Sequence, residues 1–234
     1  MQLRAFTENS KTILSVDFNR DFTCEQKCEY CYVENMERIY SAYLNKITRN
    51  AQWATENPQG FAQQLNTEYT KLTKSKAKSY KRLGKMPVRL YGSGDFKPKH
   101  LEFIQNLDFK FFIISKNLTK PEYYTYISQL LKTQNVTKIL LSFDNANLQN
   151  YIKLGKLFGK DRIGFCYTGM ADEFNEVTEP FNVFFNISKK QKERAKSRLI
   201  KEQCPCDSGV LAHKESCSYC SKCWRSSITN IRNG

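Results

Sequence analysis

Short apolar runs alternate with longer stretches whose apolar positions recur at helical spacing, the rhythm of strands separated by helices. Thr12–Phe18 (TILSVDF) reads as a strand rich in β-branched residues. Residues 33–83 read as mostly helical, broken into two helices at Asn57-Pro58-Gln59-Gly60. Pro87–Tyr91 is a short strand, 99–107 a helix and Phe109–Ser115 a strand. Pro121–Thr133 is a helix with proline in its first turn, where a missing N–H does no harm. Thr137–Phe143 is a strand, Asn147–Phe158 a helix, and Arg162–Thr168 and Phe181–Ile187 are strands. Ser188–Ile200 is a helix that Ser188 can cap.

Six strands with helices between most of them predict an α/β fold, a parallel sheet covered by helices. Periodicity leaves open whether the sheet is doubly wound or curls toward a barrel. In both cases the residues after the strands gather at one mouth. The first cysteine group, Gly92–Asp95, Ser115-Lys116, Ser142–Asp144 and Cys166–Gly169 all follow predicted strands. Past residue 202 the rhythm stops, which divides the chain into a sheet domain over 1–201 and a cysteine-rich tail over 202–234.

A hydrophobic content of 40% is enough for a sizeable core and too much for a disordered chain. No apolar run approaches a membrane span, and MQLRAFTENSK lacks the apolar stretch of a secretion signal. A soluble, cytoplasmic protein without a membrane partner is expected. Nine cysteines then need a cause other than disulfides, since the number is odd and the compartment reducing. Eight of them fall in two groups, and only Cys166 stands alone, as a small buried hydrophobe. His100 reads as a helix-start or surface histidine.

Cys24, Cys28 and Cys31 have the form C-x3-C-x2-C. Three thiolates in one loop can grip an iron–sulfur cube and leave one iron open, because the cube normally takes four cysteines. Structural zinc is the rival, but it too wants four protein ligands, and no fourth lies nearby. After the second strand, Gly92, Ser93, Gly94 and Asp95 allow close backbone approach and offer a carboxylate to an ammonium group; a tight turn with a helix cap is the plainer reading. Lys116 after the third strand, and Ser142 and Asp144 after the fourth, supply an ammonium, a hydroxyl and a carboxylate at the same mouth, or ordinary strand-end caps.

The cysteine spacing, with Tyr30 just before the last cysteine, resembles the signature of the radical S-adenosylmethionine (SAM) superfamily. That resemblance implies a partial (β/α)6 barrel, a 4Fe–4S cluster on Cys24, Cys28 and Cys31, and SAM chelated to the open iron. It implies cleavage of SAM to a 5′-deoxyadenosyl radical that abstracts hydrogen from a substrate, and a reductant of the flavodoxin or ferredoxin type. It places Tyr30 beside the adenine, Gly92, Ser93, Gly94 and Asp95 near the SAM amino group, and Lys116, Ser142 and Asp144 near its carboxylate or ribose. More narrowly, VRLYGSGDF, IISKN, SFD and a final cysteine group ending in Cys-Trp are similar to the phage gene-product-88-like family, found in phage, plasmid and bacterial genomes. The substrate stays open, with nucleic acid or a nucleotide favoured.

In the tail, Cys204, Cys206, Cys217, Cys220 and Cys223 suit a structural zinc or an auxiliary iron–sulfur cluster equally. Either would supply folding free energy to a segment with few apolar residues. Charge adds one more expectation. Lys and Arg total 37 against 23 acids, and the excess concentrates in runs at 71–89 and 189–201, a footprint suited to phosphate backbones or to a solvated surface. The competing function is therefore a non-catalytic, metal-stabilised nucleic-acid-binding protein of phage or plasmid origin.

Overall fold

The computed structural model describes residues 4–8, 14–26, 28, 31, 33, 39–74, 86–158, 162–169 and 183–186. The strands are β1 (Phe6–Glu8), β2 (Leu14–Val16), β3 (Val88–Leu90), β4 (Phe111–Ser115), β5 (Val136–Phe143), β6 (Ile163–Gly169) and β7 (Val183–Asn186). The helices are α1 (Arg20–Thr23), α2 (Ser41–Glu56), α3 (Pro58–Lys74), α4 (Leu101–Gln105), α5 (Tyr124–Lys132) and α6 (Tyr151–Leu157). All seven strands form one sheet in sequence order. β1 is antiparallel to β2, and every later neighbour pair is parallel.

The expected mixed α/β architecture is present, with its sheet and intervening helices. The strand order never reverses, so the sheet lacks the switch point of a doubly wound fold. Right-handed crossovers in an unreversed order put successive helices on the same face. Burial agrees. Phe111, Ile113, Ile139, Leu141, Ile163 and Phe165 share one apolar core with Ala51, Phe61, Leu65, Phe103, Ile127 and Leu154 of the helices. Phe112, Leu140 and Cys166 are also buried but stand outside that core, on the opposite face. A shift of register at Phe111/Phe112 lets Phe112 pair with Lys138 and puts that lysine on the second face.

Element ends differ from the sequence expectation in physically clear ways. The break between the two long helices is a single residue. Asn57 ends α2 with its N–H bonded to Trp53, while its Oδ1 accepts from the Gly60 N–H and so caps α3 behind Pro58. β1 was not expected. Its anchor is long-range: Glu68 Oε2 accepts from the Ala5 N–H at 2.8 Å, and Asn50 Nδ2 donates to both Ala5 O and Asp17 O. The helix expected over Ser188–Ile200 lies outside the described residues, as do most of the two basic runs and the whole tail.

His100 is not a surface histidine. It starts a helix, but it is fully buried, stacked on Phe18 at 5.0 Å between centroids and hydrogen-bonded with the Tyr91 hydroxyl at 3.0 Å. Tyr91 reaches it because its φ of 64° is left-handed, which swings the ring out of the strand's alternation and into the helix-side core. Burial, helped by nearby Lys97, holds the imidazole neutral with its pKa lowered to about 3. An unfolded chain takes up that proton near 6.5. Stability from this group is therefore complete above about 6.5 and drains away as pH falls toward 3, at up to about 1.4 kcal/mol per pH unit. Urea titrations at pH 7 and pH 5 should show this loss, and His100→Gln should flatten the difference.

Candidate functional site

The cysteine loop leaves the C-terminal end of β2, the first parallel strand. Asn19 caps α1 by accepting from the Asp21 N–H at 2.8 Å, and α1 ends at Thr23, directly before Cys24. Cys24, Cys28 and Cys31 are half-buried and free. The Cys31 N–H donates to Cys28 O at 3.1 Å. Burial first, then the charge of Asp95 and of the other two cysteines, pushes the Cys24 thiol up to about 11.

The base of this loop is clamped by the two turns that follow β3 and β4. Ser93 O accepts from the Phe18 N–H, Ser93 Oγ donates to Phe18 O at 3.0 Å, and the Ser93 N–H donates to Asp17 Oδ1. Gly92 lies against Asp17 so closely that a Cβ would stand 2.1 Å from its Oδ1. Gly94 has a φ of +73°, and a Cβ there would meet Thr23 Oγ1 at 2.5 Å and Phe18 O at 2.7 Å. Both glycines therefore serve close packing against the loop's base. The Asp95 N–H donates to Thr23 Oγ1, and Asn117 Nδ2 donates to Thr23 O and Phe96 O.

Asp95 is buried, and its two oxygens accept from the Phe96 N–H at 2.7 Å, the Lys116 and Asn117 N–H groups at 3.0 Å and the Ser115 hydroxyl. Burial pushes its carboxyl up, while those donors pull the other way. In this arrangement the carboxylate organises the turn after β4.

That turn delivers Lys116. Its ammonium pairs with Asp144, from the end of β5, and lies 3.2 Å from Cys28 Sγ. Burial alone would lower the Lys116 pKa; Asp144 and Cys28 outweigh it, so the group is held more firmly protonated. Asn147 fixes Asp144 by accepting its N–H at 2.8 Å. Ser142 points to the second face of the sheet, with its Oγ 3.5 Å from Thr168 Oγ1. The structure thus brings together Cys28, Lys116 and Asp144, with Asp95, Ser93, Gly92 and Gly94 beneath them. Ser142 lies to one side. Tyr30 and Cys204, Cys206, Cys217, Cys220 and Cys223 lie outside the described residues.

Sequence reasoning passed over Glu25, between the first two cysteines. It accepts from Lys97 Nζ at 2.5 Å, Lys120 Nζ at 2.7 Å and the Tyr123 hydroxyl at 2.6 Å. Burial works against its charge, but these three donors win and hold its carboxyl at about 2. It ties the middle of the loop to the segments after β3 and β4. No local signal marked it, because its partners are 72 to 98 residues away.

The donor chemistry fits a thiophilic centre: three thiols on one short loop, each half-buried, with Cys28 and Cys31 within electrostatic reach of Cys24. Among the described residues, however, no three Cys, His, Asp or Glu side chains are gathered into a ligand set. Nor is any described helix long and apolar enough to cross a membrane.

A sequence model described as Gene product 88 matches residues 5–226. The chain belongs to the gene product 88 family. The match runs through both cysteine groups of this gene product 88 chain. No curated protein and no solved structure matches it.

Asp95→Asn should replace one acceptor oxygen with a buried NH2 that faces backbone N–H groups it cannot accept from. A loss of about 3 kcal/mol is expected. Chemical denaturation at neutral pH checks it, and the loop after Thr23 should become the first point of proteolytic cleavage.

Proposed function

We propose that this gene product 88 protein is a radical SAM enzyme acting on a substrate yet to be identified. The observation that carries the reading is positional. Three cysteines with the C-x3-C-x2-C spacing leave the C-terminal end of the first of six parallel strands laid in sequence order. That order suits a sheet that curls into a partial barrel around the mouth, and the curled form is part of the proposal.

Cys24, Cys28 and Cys31 are the residues that would hold a 4Fe–4S cluster, which when bound supplies the electron for cleaving SAM. The chain's own part is to hold the loop and shape the mouth. Asp95, Ser93 and Asn117 fix the loop's base, and Glu25 fixes its middle. Lys116 presents an ammonium that can donate to a thiolate or meet a carboxylate, and Asp144 orients it. Gly92 and Gly94, pressed onto the loop's base, leave the turn's backbone rather than a side chain at the mouth. Tyr30, Ser142, the tail metal, a flavodoxin- or ferredoxin-type reductant and a phage-encoded cytoplasmic setting belong to the same proposal.

The net charge of +14 favours one other reading, a nucleic-acid-binding protein whose cysteines hold metal only for stability. One assay separates the two. Anaerobically reconstituted, reduced protein is incubated with SAM. Release of 5′-deoxyadenosine, with about four irons per chain that disappear in the Cys24/Cys28/Cys31→Ala variant, is the expected result. Zinc as the sole metal, intact RNA or DNA binding and no SAM turnover would replace the enzyme with the binding protein.

A further inference from the structure

One cysteine of the loop is singled out by a cation. The Lys116 ammonium lies 3.2 Å from Cys28 Sγ, across 88 residues of sequence, and pairs at the same time with Asp144. Cys24 is placed otherwise: its thiol meets Gln26 O at 3.5 Å and lies in the negative field of Asp95. The Lys116 and Asp144 side chains are only 10% and 13% exposed. A pair so far from water is seldom a net source of stability, because desolvation consumes the Coulomb gain. It needs another reason to be held there, and the sulfur it touches supplies one.

The lysine is fixed at both ends. Its backbone N–H donates to Asp95 Oδ2 at 3.0 Å. Its carbonyl accepts from the Thr119 N–H at 3.0 Å and from the Thr119 hydroxyl at 2.7 Å. Thr119 Oγ1 in turn accepts from Asn147 Nδ2 at 2.8 Å, and Asn147 Oδ1 accepts from the Asp144 N–H. This ring of contacts starts at the lysine carbonyl and returns, through Asp144, to its own ammonium. A long side chain held in this way has little freedom left to lose when Nζ donates to sulfur.

We propose that Lys116 is a positioning residue for the metal centre of the cysteine loop, donating a charge-assisted hydrogen bond to the Cys28 thiolate that retains the metal and raises the reduction potential of the cluster. Hydrogen bonds to the sulfurs and the net charge around them are among the levers by which a protein sets that potential, and partners of metal ligands also hold the metal. A cation beside one sulfur favours the reduced form, which is more negative by one electron, and the Asp144 carboxylate trims that effect. The two side chains therefore act with opposite sign. In this role Lys116 serves the cluster and not the SAM carboxylate. That the centre is a 4Fe–4S cluster rests on the radical SAM reading; that Lys116 secures metal on Cys28 does not.

The test is a potentiometric titration of the full chain, reconstituted with iron and sulfide and followed by electron paramagnetic resonance. The Cys24/Cys28/Cys31→Ala variant gives the background from the tail. Lys116→Met should shift the reduction equilibrium about tenfold toward the oxidised form, or about 59 mV for one electron. It should also yield the loop's metal to a chelator about tenfold more readily. Asp144→Asn should shift the potential upward, and Lys116→Arg, which keeps a charged donor, should recover most of what Lys116→Met loses. A general disturbance of the mouth moves Lys116→Met and Asp144→Asn the same way. Shifts of one sign in those two variants, or a Lys116→Met potential equal to the wild type's, would overturn the proposal. Should Lys116→Met fail to fold by circular dichroism, Asp144→Asn carries the test, and an unmoved or lowered potential overturns it. Should the loop hold zinc in place of a cluster, the radical reading falls, and this inference is decided by whether Lys116→Met gives up zinc more readily. Opposite shifts in a cluster that cleaves no SAM likewise defeat the radical reading alone. A wild-type loop that takes up no metal defeats both.

Discussion

The mouth of this sheet depends on one buried carboxylate. Asp95 receives donors from its own turn, from the hydroxyl that ends β4 and from two successive backbone amides beyond it, while its N–H reaches Thr23 at the foot of the cysteine loop. Three chain segments, separated by 72 residues in one direction and 22 in the other, are fixed by a single side chain and its amide. The position of Lys116 and the footing of Cys24 both follow from it. Buried polar networks of this kind set geometry when every member is satisfied, and are costly when one is not.

Much of this was legible in the chain. The strands from β2 to β7 and the helices from α2 to α6 follow from hydrophobic period and turn residues, the one-turn α1 was not expected, and the residues after each strand pointed to a common end of the sheet. What local pattern could not supply was partnership. Nothing around Glu25 announces three donors from distant turns, and nothing around Phe6 announces that Asn50 and Glu68 will hold a short edge strand. His100 was legible as a helix-start residue, but its burial was not, because its partner Tyr91 reaches it through a left-handed backbone that sequence spacing does not encode. The glycines after β3 were legible as close-approach positions, but the partner they approach is Asp17 and Thr23 of the chain itself.

The two faces of the sheet differ in composition. One is a continuous apolar contact with the helices and accounts for most of the core. The other mixes Arg89, Lys138, Ser142 and Cys166 with Phe112 and Leu140, a composition that packing alone does not call for. The match to the gene product 88 family spans both cysteine groups.

The unreversed strand order has a consequence for how the protein is made. Every strand docks on one that has already left the ribosome, so the sheet can be laid down progressively from its amino-terminal edge, without waiting for a distant partner. The cysteine loop is synthesised early, yet its clamp from Asp95 and Lys116 arrives some seventy to ninety residues later, and the tail cysteines come last. Assembly of the mouth is thus ordered in time by the same topology that orders it in space.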